Sequence, residues 1–199
     1  MNAKNTSFAL MMGALGTAFF AISYYAAPIA PSIAFDFSLI GVLIAAFYGG
    51  PTVGFVTGIF AGILPGIMFG PLGTGGVFGL IGLPFGKALT GVTAGFISRG
   101  VKFGQKPRSS LLAIPVTFLA YIPESIFTWG YFVFLLQFEL GTSVFLAVLA
   151  KALVEIAIMS VFMAALIGNV GFSCFVRAHF TSDKNHAGKT AGKEKPKLS

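Results

Sequence analysis

Residues 50–70 read GPTVGFVTGIFAGILPGIMFG, a run without a charged residue and with glycine at every fourth position: Gly50, Gly54, Gly58, Gly62, Gly66 and Gly70. Small residues four apart let helix backbones approach closely in a bilayer, where lipid tails leave no hydrophobic drive for helices to associate. Four residues overshoot the helical repeat, so the stripe drifts about 40° per step around the axis. A helix built this way touches more than one neighbour. Gly82/Gly86 and Gly91/Gly95 repeat the spacing further along. The pattern predicts a bundle of membrane helices whose third and fourth members are rich in glycine, with close packing as the role of glycine throughout.

The rest of the chain agrees. Of 199 residues, 56% are hydrophobic and only 10% charged, against roughly 25% charged in an ordinary globular domain. In water such a chain would leave large apolar patches uncovered; lipid tolerates them. The formal charge is +7, but the basic residues fall in blocks. Lys4 precedes the first apolar run, Arg99, Lys102, Lys106 and Arg108 share one short segment, and six more lie between Arg177 and Lys197. This distribution reads as membrane topology rather than nucleic-acid binding.

A crossing helix needs about 20 apolar residues. The run 8–30 qualifies, and it is longer than the 7–15-residue core of a signal peptide, so it reads as a retained span. A Pro-bounded loop carrying Asp36 follows. Segments 38–49 and 51–69 are divided at Gly49-Gly50-Pro51. The first of the two is too short to cross alone, and a re-entrant segment is its alternative. The sequence Gly70 to Gly76 is a loop by its turn residues. Helices over about 79–98, 111–136 and 143–169 complete an all-α bundle of six, residues 1–175. A basic, polar tail over 176–199 has the composition of a disordered segment. With six crossings, the N-terminus, the 99–110 loop and the tail share a side holding eleven Lys and Arg, while the opposite loops hold none. Both chain ends are then cytoplasmic, and the protein is a multi-pass component of the cell membrane.

Familiar catalytic signatures are missing. Both histidines, His179 and His186, lie in the tail, leaving no intramembrane histidine for a metal. No Gly-x-Ser-x-Gly elbow occurs. Gly86-Lys87-Ala88 lacks the first glycine of a nucleotide loop, where Ile81 stands, and its final hydroxyl residue. One cysteine, Cys174, excludes an intrachain disulfide. Asn5-Thr6-Ser7 matches a glycosylation pattern on what this topology makes the cytoplasmic side. No enzyme activity, metal or cofactor is expected.

Chemistry is left to the charges inside apolar segments: Lys87, Glu124, Lys151 and Glu155. Each costs about 2.5–3.5 kcal/mol at the centre of an isolated span, so each needs a partner or a wet cavity. Counting helix rise from the outer ends puts Lys87 and Lys151 about 12 Å deep and both glutamates about 18 Å deep. In the fifth helix Thr117, Tyr121, Glu124, Thr128 and Tyr131 are spaced 4, 3, 4, 3 along one face. Lys151 and Glu155 share a face of the sixth. A polar pocket among helices four, five and six follows, open to the outside, with Tyr121, Trp129 and Tyr131 nearby. Pro123 loosens the helix beside Glu124. Charges that pair only to hold the bundle together are the alternative. Tyr24 and Tyr25 suit an interfacial aromatic belt.

In size, helix count, glycine-rich central helices and basic 99–110 loop, the chain resembles the S component of energy-coupling factor (ECF) transporters, the membrane subunit that binds a vitamin or related molecule for uptake. Ala14-Leu15-Gly16-Thr17-Ala18 is similar to that family's Ala-x-x-x-Ala motif on the first helix, which implies Ala14 and Ala18 at a T-subunit interface. Asp36, an apolar stretch and Gly50-Pro51-Thr52-Val53-Gly54 match a second local pattern. The resemblance covers about residues 8–170. It implies capture of a small molecule from outside, with Asp36, Lys87, Tyr121, Glu124, Thr128, Trp129, Tyr131, Lys151 and Glu155 as candidate binding residues. It also implies partners: a T subunit and two ATPases. The lysines would suit an anionic group of the ligand, Glu124 a donor, and the aromatics a ring. A stand-alone channel or carrier would want charges through both halves of the membrane, and a small membrane enzyme a cluster near the cytoplasmic face. Neither pattern is present.

Overall fold

The computed structural model describes residues 1–26, 28–30, 33–73, 76–101, 103, 110–136 and 138–181. Seven helices run in order: α1 Ala3–Ala26, α2 Leu39–Gly49, α3 Pro51–Phe69, α4 Gly76–Val101, α5 Ala113–Leu136, α6 Phe138–Gly168 and α7 Val170–Thr181. Between α1 and α2, Pro28–Ala30 (β1) pairs antiparallel with Ile33–Ala34 (β2). Among the described residues, four helices are long and apolar enough to cross a membrane: α1, α3, Gly79–Val101 of α4 and Phe145–Gly168 of α6. Helix α5 matches them in length, with 24 residues, but carries the polar stripe. Outward positions such as Ile22, Ile81, Ile126 and Val161 are apolar and exposed, as a lipid-facing surface requires.

The short helix α2 is the buried centre. Every residue from Leu39 to Phe47 is buried, between α1, α3 and α4. A helix apolar on all sides has to be enclosed. Its 11 residues rise only about 16 Å. Non-helical chain leads into it. The Ser23 hydroxyl of α1 donates to the Phe35 carbonyl at 2.8 Å, and the Ser38 carbonyl lies 2.6 Å from where a Cβ on Gly16 would stand. Residues 35–38 thus return alongside α1 to mid-helix before α2 begins, so Asp36 is carried into the bundle rather than left in a surface loop. At the far end, Gly50 takes φ 84°, open to glycine without strain, and Pro51 starts α3 at once.

The glycine stripe of α3 lies against α4. A Cβ on Gly58 would stand 2.6 Å from Ala88 Cα and from the Lys87 carbonyl oxygen; one on Gly54 would stand 2.5 Å from the Gly91 carbonyl oxygen. The ring of Pro84 fills the notch left by Gly62 and Gly66. Gly91 and Gly95 meet the backbone of Gly54 and of Gly50–Pro51 in return. The seam is backbone against backbone, as the four-residue spacing predicts. Gly82 and Gly86 differ: they face side chains of α5, with Tyr131 Cε2 3.6 Å and Glu124 Cγ 3.3 Å from the respective Cβ positions. Packing at these two is therefore against side chains and not backbone, tight at Gly86 and ordinary at Gly82.

Several boundaries also move: α4 runs past both expected ends, and α6 starts at Phe138, where a loop was expected up to 142. The first helix ends at Ala26, short of the expected 30, because the chain turns into the β1–β2 hairpin at Pro28. Beyond Gly168 the chain continues as α7 through Thr181, past the point where the polar tail was expected to start. Asn169 caps α7, its side chain accepting from the Phe172 amide at 3.0 Å. Tyr48 and Ser173 hydroxyls meet at 2.8 Å, Arg177 bonds the Phe103 carbonyl, and the His179 ring packs on Phe8. These contacts bring the start of α1, the ends of α2 and α4, and α7 to one end of the bundle. Lys102, Lys106, Arg108 and the tail from 182 onward lie outside the described residues.

Candidate ligand site

Helices α4, α5 and α6 and the segment before α2 each contribute charge to one buried cluster. Lys87 projects from the side of α4 next to the glycine seam and is 2% exposed. Its ammonium meets the Asp36 carboxylate at 2.6 Å. The second oxygen of Asp36 accepts the Ser38 amide at 2.9 Å, a local turn that fixes the carboxylate where the extended chain becomes helix. The Asp36 amide in turn donates to Glu155 of α6 at 2.6 Å. Glu155 also holds Lys151 at 3.0 Å, one helical turn away. On α5, Glu124 accepts a short bond from the Thr90 hydroxyl of α4. Glu124 and Glu155 both lie within electrostatic reach of Lys87. Tyr121 lies within reach of Glu124, Glu155 and Asp36.

Residues 36, 87, 121, 124, 151 and 155, selected from sequence, are therefore brought together. The other candidates stand apart. Tyr131 lies one level away, against Gly82. Thr128 is half-buried on the same helix. Trp129 is 38% exposed, five residues from Glu124 and off the face that carries it. Thr117, grouped with the stripe, is buried and returns its hydroxyl to the Ala113 carbonyl at 2.8 Å.

Three participants were not expected. Thr90 supplies the hydrogen bond to Glu124; its place three residues after Lys87 puts it on the same face of α4 and could have marked it. Phe69, at the end of α3, has its ring centroid 5.9 Å from the Lys151 ammonium and contacts Phe20 and Tyr24. Nothing in a helix that reads as glycine packing points to it. The Ser38 hydroxyl is fully buried and has no hydrogen-bond partner among the described residues, although its backbone holds Asp36.

Chemically, the cluster offers paired charges, a hydroxyl donor and phenol rings in an apolar surround. Among the described residues no group of His, Cys, Asp and Glu could hold a metal ion. Ala14 and Ala18 are exposed on α1, whereas Gly13 and Gly16, on the opposite side, pack against α3 and the start of α2. The chain matches no protein-family model, no curated protein and no solved structure.

Proposed function

We propose that this protein is the substrate-capture subunit of an ECF-type uptake transporter in the cell membrane. It takes a small organic molecule from outside into the cluster among α4, α5 and α6 and delivers it with a T subunit and two ATPases. The observation that carries this reading is the gathering of five ionisable side chains, drawn from positions 36 to 155, in one buried place. Intramembrane charges are expensive and mark ligand or ion sites by default. The proposal includes six crossings, with α2 and its extended lead counted as the second. The end holding the start of α1, the ends of α2 and α4, and α7 is the cytoplasmic one, by the basic residues near it.

Two further features support the reading. The segment after α1 reaches the cluster through Asp36, as a covering element should. The Ala14 and Ala18 positions are available to a partner within the membrane, since the glycines of α1 and not these alanines face the bundle.

The deciding experiment is purification of the full chain, followed by mass-spectrometric identification of any small molecule retained with it and measurement of its affinity. Ala at Glu124 or Lys151 should weaken that binding well beyond any loss of folding, whereas unchanged affinity would sink the assignment. Leu at both Ala14 and Ala18 should abolish energised uptake in cells supplied with the partner subunits, while binding to the purified chain persists. Internal pairing of the charges also suits a structural brace. A brace predicts that Asp36→Asn with Lys87→Met leaves binding of the retained molecule untouched.

A further inference from the structure

Helix α7 turns its apolar side outward. Val170, Gly171, Cys174, Phe175 and Ala178 share one side of it by helical spacing. All five are exposed, Val170 at 74% and Phe175 at 77%. The face holds no charged, amide or hydroxyl side chain. Polar groups point inward instead: the Ser173 hydroxyl meets Tyr48 at 2.8 Å, and Arg177 bonds the Phe103 carbonyl. A surface helix in water keeps polar residues on its outer face; α7 does not.

The position of α7 decides what covers that face. The part of α6 long and apolar enough to cross a membrane ends at Gly168, and α7 starts at Val170, so it begins at the membrane surface. It then runs across the end of the bundle and not onward from α6. Ser173 reaches back to the Ile167 carbonyl at 3.1 Å, and the His179 ring lies 5.6 Å from that of Phe8 in α1. Phe8 is about 8 Å in from the first residue of α1, which sets α7 at the depth of the headgroup boundary. The charge there has one sign. Lys4, Arg177 and Arg99, whose guanidinium lies against Gly50, share this end, and no Asp or Glu does among the described residues. The sequence that follows, 182–199, holds five lysines against two acidic residues. Anionic lipid attracts basic stretches held this close to a membrane.

We propose that α7 is an interfacial helix whose outer face enters the headgroup boundary of the leaflet at this end, and that the basic chain after it binds anionic phospholipid there. Apolar burial and charge attraction act together in such helices. Through Ser173, Arg177 and His179 the anchor is tied to α2, the chain after α4 and α1. The lipid therefore grips the end of the bundle itself. This holds whatever molecule the charged cluster takes.

Cys174 is the sole cysteine and lies on this face, so a nitrobenzoxadiazole label attached there reports on it directly. The labelled full chain is placed in nanodiscs of phosphatidylcholine and phosphatidylglycerol. Emission should be shifted to the blue and quenched by nitroxide-labelled lipid. Iodide should quench it several-fold less than the same label at Ser199→Cys in a Cys174→Ser background. A label freely quenched by iodide and untouched by nitroxide lipid overturns the proposal and leaves the face to a protein partner. Phe175→Asp should return the label to water with the thermal midpoint unchanged, since that side chain is 77% exposed. A label still shielded from iodide in this variant overturns the assignment of the face; should the variant fail to fold, Val170→Asp serves in its place. The lipid class is read separately. At equal mole fraction, nitroxide on phosphatidylglycerol should quench more than nitroxide on phosphatidylcholine, and Gln at Lys184, Lys189, Lys193, Lys195 and Lys197 should erase the difference. Equal quenching by the two lipids in the parent chain overturns the anionic partner.

Discussion

The two sides of helix α4 are built on opposite plans. Toward α3, Pro84, Ala88, Gly91 and Gly95 meet the backbone of the facing helix with no side chain between. Toward α5, α6 and the chain before α2, Lys87 and Thr90 reach charged partners, and Gly82 and Gly86 face side chains. The first side fixes the helix and the second presents chemistry. The two are coupled, because the Lys87 carbonyl lies against Gly58 while its ammonium lies against Asp36. A lysine in a membrane needs a rigid base if its charge is to meet one partner, and close packing on the other face supplies that base.

The largest effect should come from breaking the charged side. Lys87→Met removes the cation from Asp36 and leaves a carboxylate buried with only the Ser38 amide. Removing one member of a buried pair costs about 3–5 kcal/mol. The thermal midpoint of the purified protein should fall accordingly, and adding Asp36→Asn should restore more than half of the loss. Losses that simply add in the double variant would show that the two side chains do not act as a pair.

The seam should respond next. Gly58→Ala puts a Cβ 2.6 Å from Ala88 Cα and from the Lys87 carbonyl oxygen. Neither is a flexible side chain, so one helix has to shift. Overpacking of this kind costs about 1–3 kcal/mol. Because the displaced backbone carries Lys87, Gly58→Ala should also weaken binding of the retained ligand. A variant with full stability and affinity would mean that the seam yields and does not hold the cluster in place.

Sequence revealed these two sides unequally. A strict spacing of four is a property of one helix, so the seam could be read from α3 alone, and from Gly54 to Gly70 it matches the structure, whereas Gly50 faces the Arg99 side chain. Charges inside apolar runs are equally conspicuous, so Lys87, Glu124, Lys151 and Glu155 stand out from the sequence alone, whereas Asp36, in a loop, enters only through the family resemblance. Their partners were not legible. Whether Lys87 pairs with Asp36 or Glu124 depends on the extended chain over 35–38, and non-helical chain leaves no periodicity to read. The contrast between Trp129, outward, and Tyr121, inward, follows from a helical face that the aromatic character of both residues obscured. Helix α7 was missed because its basic and polar residues resemble a tail, whereas its anchors, Tyr48 and Phe103, lie far away in sequence.

The smallest effect provides the sharpest test of the comparison. Gly82 and Gly91 stand on one helix, each in a pair of glycines four apart, and sequence assigns them one role. An added Cβ at Gly91 would run into the Gly54 carbonyl. At Gly82 it would lie 3.6 Å from Tyr131 Cε2 and 3.9 Å from Phe127 Cε1, ordinary contact with side chains that can adjust. Alanine is also the better helix former, by roughly 0.5–1 kcal/mol. Gly82→Ala should therefore leave the thermal midpoint unchanged or slightly raised, within about 1 kcal/mol of the parent, where Gly91→Ala lowers it clearly. A loss at Gly82 as large as that at Gly91 would mean that α4 and α5 are packed as tightly as the seam. The charged side would then be as rigid as the seam, and the cluster would serve to brace the bundle.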